Sequence, residues 1–322
     1  MTEILDVDLL VFENGSAAQQ RAVVDGVMRS LGTGFVFTSH DIPEGVLDEA
    51  YEMLATFFAL PVERKARWRA PESHGQTGYT GLLIETAAIS DTPDWKEMLN
   101  WGAELPPHHP LRTRYPHRYL DPVLPDADVP GIAAVLRDFH SRLVDLQTRF
   151  LRIIAVGLGA DPCFFDDLVA DGSHLTRAIH YPSMADAPSG THAWADEHAD
   201  INLITALPRA TGPGLQLRKG GGWVDVVPPA GHVVVNSGIM LERLSNGRIP
   251  AGVHRVVAPR DARIPDRYSV VQFCHPAPWM VLAPLPTCVD AEHPTRYGAI
   301  EAGALLDRVL YEIGLIGPTR TT

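Results

Sequence analysis

From residue 174 onward the chain is a succession of short apolar runs broken by turn residues: "LTRAIHYP", "INLITAL", "GLQLR", "GWVDVVP", "HVVVNSG", "HRVVAP" and "RYSVVQFCHP". Runs of this length, rich in Val, Ile, Leu, Phe and Tyr and punctuated so often, read as strands of a sandwich or barrel. They predict a mainly β core with flanking helices, of the two-sheet jelly-roll type. "KGGGW" fits a glycine hairpin turn inside that core, since no Lys-Ser or Lys-Thr follows to make a phosphate loop.

Upstream the periodicity changes. "ILDVDL" and "FVFTS" read as strands. "AAQQRAVVDGVMRSLGTG" has apolar residues at Ala22, Val23, Val27 and Leu31 and closes on Gly32 and Gly34, the spacing and stop of an amphipathic helix. A second helix runs through "IPEGVLDEAYEMLATFFALPVERKARW" and is interrupted at Pro61. Residues 71–130, rich in Gly, Pro and His, read as ordered loops of the kind that line a site. Between Pro130 and Leu158 the residues Val135, Phe139, Leu143, Leu146, Phe150, Ile153 and Ile154 recur at helical spacing. The expected layout is one structural unit: an N-terminal α/β region (1–130) packed on the core, a long support helix and connection (131–173), the β core (174–295), and a C-terminal helix, about Tyr297 to Gly314, within 296–322.

Composition narrows the function classes. Among 322 residues, 27 are Lys or Arg and 39 are Asp or Glu, a net charge of −12 that disfavours nucleic acid and anionic membranes as partners. No apolar run reaches membrane-spanning length and the N-terminus lacks a signal-like pattern, so a cytoplasmic monomer acting on a small molecule is expected. Cys163, Cys274 and Cys288 are odd in number and far apart, which argues for reduced, mostly buried thiols. Only Lys65, Lys96 and Lys219 are lysines, a bias towards arginine that suggests a GC-rich bacterial genome.

The chemistry concentrates in "EHADINLIT". In an extended segment residues i and i+2 share a face, so His198 and Asp200 project together from what reads as a buried strand. His254, at the head of another apolar run, offers a second imidazole. Two imidazoles and one carboxylate with open positions are the ligand set of Fe(II) in oxygen-activating enzymes. On a further strand Arg267 and Ser269 again share a face, and a guanidinium beside a hydroxyl would hold the distal carboxylate of a keto acid.

With those residues in place, the sequence resembles the isopenicillin N synthase-like iron and 2-oxoglutarate-dependent dioxygenases. "GTGFVFTSHDIP", "FFALPVERKARW", "GYTGL", "DWKEMLNWG" and "VVVNSGIMLERLSNGRIPAGVHRVV" are similar to that family's segments. Ile179 and Ile239 stand where the family often has Asn and Asp. The resemblance implies a distorted double-stranded β-helix, with His198, Asp200 and His254 as iron ligands and catalytic residues, and Arg267 and Ser269 as the anchor of the 2-oxoglutarate cosubstrate. It implies that Tyr181 touches that cosubstrate and that Phe273 walls the substrate pocket. Tyr79 and Arg177 are further candidate substrate contacts, although Arg177 also suits a role supporting the core. Dioxygen would be the second cosubstrate, and hydroxylation, desaturation or cyclisation of a small molecule in bacterial secondary metabolism the outcome. The alternatives are an oxidase that needs no 2-oxoglutarate and uses the Arg-Ser pair for its substrate, a noncatalytic acid-binding jelly roll, and a zinc hydrolase.

Overall fold

The computed structural model describes residues 3–85, 92–188, 192–258 and 266–312. Its strands, in sequence order, begin with β1 (Asp6–Val7), β2 (Phe35–Ser39), β3 (Gly78–Thr80) and β4 (Glu97–Trp101). There follow β5 (Leu175–Tyr181), β6 (Ala195–His198), β7 (Ile204–Leu207) and β8 (Leu215–Lys219). The next four are β9 (Gly222–Asp225), β10 (His232–Ser237), β11 (His254–Val256) and β12 (Arg267–Cys274). An eight-stranded sheet runs in the order β1-β2-β10-β7-β12-β5-β4-β3, and a four-stranded sheet in the order β6-β11-β8-β9. The two form a jelly roll, with the four N-terminal strands extending the larger sheet on both flanks.

The side-chain period of 2 gives the larger sheet two different faces. Along β12, Arg267, Ser269, Val271 and Phe273 face a cavity between the sheets. Val270 and Cys274 belong instead to the core beneath the long helix Ile132–Gly157. Arg177, Ile179 and Tyr181 on β5, Thr205 and Leu207 on β7, and Val234 and Asn236 on β10 join the cavity face. That helix buries Leu136, Phe139, Leu143, Leu146, Phe150, Ile153 and Ile154 on the opposite face. Its Gln147 donates to the carbonyls of Ile204 at 3.1 Å and Gln272 at 3.0 Å, fixing it to β7 and β12. Truncating Phe139 to Ala would cost roughly 3–5 kcal/mol by loss of buried surface and the cavity left behind.

Several local expectations are corrected. Residues 71–130 contain β3, β4 and a short helix at Pro110–Arg114 as well as loops. β4 escaped the hydrophobic pattern because its buried run "EMLNW" includes Glu97 and Asn100, whose polar groups are satisfied inside the fold. Glu97 accepts from Lys65 at 2.7 Å, Tyr79 at 2.5 Å and His180 at 2.7 Å. Burial alone would raise its pKa, but the bonds from His180, Lys65 and Tyr79 outweigh it and hold the carboxyl below its ordinary value. Of "ILDVDL" only Asp6–Val7 is strand, because Asp8 caps a helix at Leu9–Asn14 through Val11 N–H. "IMLERL", within the run bridging β10 and β11, is a helix. Cys163 is exposed, whereas Cys274 and Cys288 are buried. The final helix is described over Ala302–Glu312, and its expected end at Gly314 lies outside the described residues.

Candidate active site

His198 closes β6 in the smaller sheet, while Asp200 lies beyond it, in the connection that crosses to β7 of the larger sheet. The pair therefore straddles a crossing between sheets where one continuous strand was expected. Directly opposite His198 in the antiparallel register stands His254, the first residue of β11. The imidazole centroids are 4.4 Å apart, and His198 Nε2 lies 3.8 Å from Asp200 Oδ1. One donor atom from each of the three residues falls within 4.8 Å of the others.

Hydrogen bonds fix which atoms are available. His198 Nδ1 is 2.8 Å from the carbonyl of Asp196, and His254 Nδ1 is 2.8 Å from that of Gly252. In the tautomer these contacts require, each Nδ1–H donates and each Nε2 lone pair is free for a ligand. Asp200 Oδ2 accepts from Thr205 Oγ1 at 2.6 Å and Asn236 Nδ2 at 2.8 Å, leaving Oδ1 towards the imidazoles. Burial acts to raise the pKa of Asp200, but His254, His198 and these two hydrogen bonds prevail and hold it ionised. Burial, reinforced by the neighbouring His254, pushes His198 down to about 4, so it is a neutral imidazole at physiological pH. Two imidazole nitrogens and one carboxylate oxygen, converging in a recess, fit a divalent cation.

The approach of His254 depends on two glycines. Gly34 has φ +82°, and a Cβ there would lie 2.4 Å from Gly252 Cα, so only bare backbones allow this contact. Ser237 N–H bonds the carbonyl of Gly34 and Gly252 N–H bonds that of Ser237, which seats the turn before β11 against β2 and β10.

Arg267 and Ser269 stand on the same cavity wall, and Arg267 is only 2% exposed. Its Nε donates to Gly212 O at 3.1 Å and its Nη1 to Ser269 Oγ at 3.2 Å, and its guanidinium lies 5.0 Å from the centre of the Tyr181 ring. Among the described residues no carboxylate pairs with it. A buried cation satisfied only by neutral groups is a receptor for an anion. Tyr181, Phe273 and Arg177 line the cavity too, with the Arg177 guanidinium 5.5 Å from the Phe273 ring centre. Tyr79 is not brought there: it is buried beside Phe57, with its hydroxyl on Glu97.

Known proteins resemble this chain in sequence and fold. The profile of the 2OG-Fe(II) oxygenase superfamily matches residues 172–276, and that of the non-haem dioxygenase in morphine synthesis N-terminal region matches residues 3–122. A 2-oxoglutarate-Fe(II) type oxidoreductase of Metarhizium rileyi is 30% identical over 304 residues, 88% of this chain and 82% of the relative. The chain belongs to the 2OG-Fe(II) oxygenase superfamily. It is thus an oxidoreductase of the iron-, 2-oxoglutarate- and dioxygen-using kind, and the resemblance drawn from its motifs holds. A 2OG-Fe(II) oxygenase family protein of Caulobacter crescentus superposes with TM-score 0.84 at 34% identity, over 97% of this chain and all of that one. A Neurospora crassa enzyme crystallised with α-ketoglutarate and thymine superposes with TM-score 0.82 at 28% identity, over 96% of each protein.

Within this oxygenase the supporting residues Thr205 and Asn236 were missed by sequence reading, as was Lys96 on the cavity wall. Asn236 carried a usable signal, a lone amide in the apolar run "HVVVNS". Lys96 carried another. A protein with three lysines places two of them, Lys65 and Lys96, where their side chains are 6% and 11% exposed.

Proposed function

We propose that this enzyme oxidises an unactivated C–H bond of a small molecule, with His198, Asp200 and His254 holding Fe(II) and Arg267 and Ser269 holding the distal carboxylate of 2-oxoglutarate. When bound, iron and the keto acid supply the oxidising power, dioxygen being consumed as 2-oxoglutarate becomes succinate and carbon dioxide. The observation that carries the reading is Arg267: a buried guanidinium without a carboxylate partner among the described residues, lining the same cavity as three convergent donors. Its fork and the Ser269 hydroxyl would bind a carboxylate by charge-assisted bonds, and Tyr181 would close one side of that anchor.

The protein's own work is positional. Thr205 and Asn236 keep Asp200 aimed and ionised, the carbonyls of Asp196 and Gly252 fix the imidazole tautomers, and the apolar Leu207, Leu215, Val234 and Val256 keep water from the reacting carbon. Small substrates are supported by relatives: the Neurospora enzyme was crystallised with thymine, and a Petromyces alliaceus relative, 28% identical over 92% of this chain and 94% of its own, is a proline hydroxylase. A bacterial secondary-metabolic setting, drawn from the arginine bias, belongs to the same proposal. The test is succinate formation measured with oxygen uptake in iron-loaded protein. Equal amounts of the two are expected, and oxygen uptake without succinate would overturn the keto-acid assignment in favour of an oxidase whose Arg267 and Ser269 bind substrate.

A further inference from the structure

The cavity has a second polar wall that the iron and keto-acid assignments leave unused. Two cations stand there, Lys96 and Arg177, joined with two carboxylates in a row of alternating sign that runs, in order of contact, Asp94, Lys96, Glu85 and Arg177. Lys96 Nζ lies 2.8 Å from Asp94 Oδ2 and 3.4 Å from Glu85 Oε2, and Arg177 Nη1 lies 3.4 Å from that same Glu85 oxygen. The side chains of Glu85, Lys96 and Arg177 are 13%, 11% and 14% exposed, which is unusual for a surface network. Lys96 and Arg177 line the cavity alongside His198, Asp200 and His254. Arg177 is held in plane by its Nε bond to Asn100 Oδ1 at 2.7 Å and by the Phe273 ring beneath it.

Three features choose among ligands. The row carries two positive and two negative groups, so it is neutral as a whole. Both contacts of Glu85 exceed the roughly 2.7–2.9 Å of a charge-assisted hydrogen bond. Neither cation therefore holds Glu85 at the distance of a charge-assisted bond, and each could take a better-placed partner. A ligand bearing a lone carboxylate would gain from Arg177 and Lys96 but would crowd Glu85 and Asp94. A lone amine would meet the reverse, and an apolar group would leave the row as it is. Only a ligand with a cation and an anion on neighbouring atoms improves both halves.

We propose that this row is the substrate headgroup site, with Arg177 and Lys96 taking the carboxylate and Glu85 the ammonium of a free α-amino acid or a molecule with the same zwitterionic head. The inference rests on the proposed oxygenase function and adds its substrate class. Held by its head, such a substrate turns a C–H bond at its other end towards the iron donors, and Arg177, Lys96 and Glu85 are positioning residues.

Binding without turnover tests it. Full-length protein loaded with Mn(II) is titrated first with 2-oxoglutarate and then with free L-amino acids, each compared with its N-acetyl and methyl ester forms. Failure of 2-oxoglutarate to bind counts against the proposed function, while the amino-acid titration is scored separately. The expected result is at least one free amino acid that binds about tenfold or more tightly than either blocked form. Glu85→Gln should erase the preference over the N-acetyl form, Glu85→Asp should retain much of it, and Arg177→Gln should erase the preference over the ester. Binding of no free amino acid, or equal binding of the blocked forms, overturns the assignment.

Discussion

Two groups of imidazoles lie on opposite sides of the larger sheet, and their fates differ. On the cavity face His198 and His254 converge with Asp200, each imidazole locked by a backbone carbonyl so that one nitrogen stays free. On the helix face His140, His174 and His275 are buried more deeply, at 3%, 9% and 5% exposure against 39% for the His198 side chain. There the contacts serve packing: His140 Nδ1 meets Thr176 Oγ1 at 2.7 Å, and His174 spans the carbonyl of Val169 and the N–H of His275. Among the described residues no carboxylate joins them in a metal-holding group. Burial depresses His198, His174 and His140 alike, to about 4, 4 and 3. A neutral buried histidine is thus no sign of a site. What separates the two faces is a carboxylate held ionised within reach of unclaimed nitrogen atoms.

The contrast can be broken most sharply at the ligands. His198→Ala should reduce succinate formation by roughly a thousandfold or more while leaving the circular dichroism spectrum intact, whereas His140→Ala should do the reverse, keeping turnover per folded molecule and losing stability. The next largest effect is at the anchor. Arg267→Gln should raise the KM for 2-oxoglutarate by roughly 10- to 100-fold, the worth of charge-assisted bonds of about 1.5–3 kcal/mol, and steady-state assays across keto-acid concentrations would measure it.

A smaller effect belongs to the helix face. His140 and His174 ordinarily titrate near 6.5, and burial lowers them in the fold to about 3 and about 4. Below pH 6.5 the unfolded state takes up protons that the folded state refuses, so stability is full above that pH and is lost progressively as it falls towards 4. The slope is roughly 1.4 kcal/mol per group per pH unit. Urea unfolding at pH 7.5 and pH 5 should show the loss, and His140→Gln, though about 1–3 kcal/mol less stable at the higher pH, should show less of it. An unchanged difference would mean that the imidazole is not the group responsible.

The jelly roll and its three donors were legible in the sequence because both depend on short-range pattern: strand periodicity around Ile204–Leu207 and Arg267–Cys274, and imidazoles and a carboxylate in distinctive company. The location of Asp200 was not, since a backbone that leaves one sheet for another looks the same, over a few residues, as one that continues a strand. Strand β4 was hidden for a related reason. Glu97 and Asn100 look like loop residues until Lys65, Tyr79, His180 and Arg177, distant in sequence, arrive to satisfy them. The same blindness hid the Lys96 row, whose meaning depends on Glu85 and Arg177 meeting in space.

On the proposed function His198, Asp200 and the sequence-distant His254, and not the imidazoles of the helix face, hold the iron. Anaerobic titration of metal-free protein with Fe(II), read by calorimetry, tests it directly. The account predicts one tightly bound ion per protein molecule, lost in His198→Ala, Asp200→Ala and His254→Ala and retained in His140→Ala and His174→Ala. Stoichiometric binding that survives the first three substitutions, or vanishes with the last two in folded protein, would contradict it.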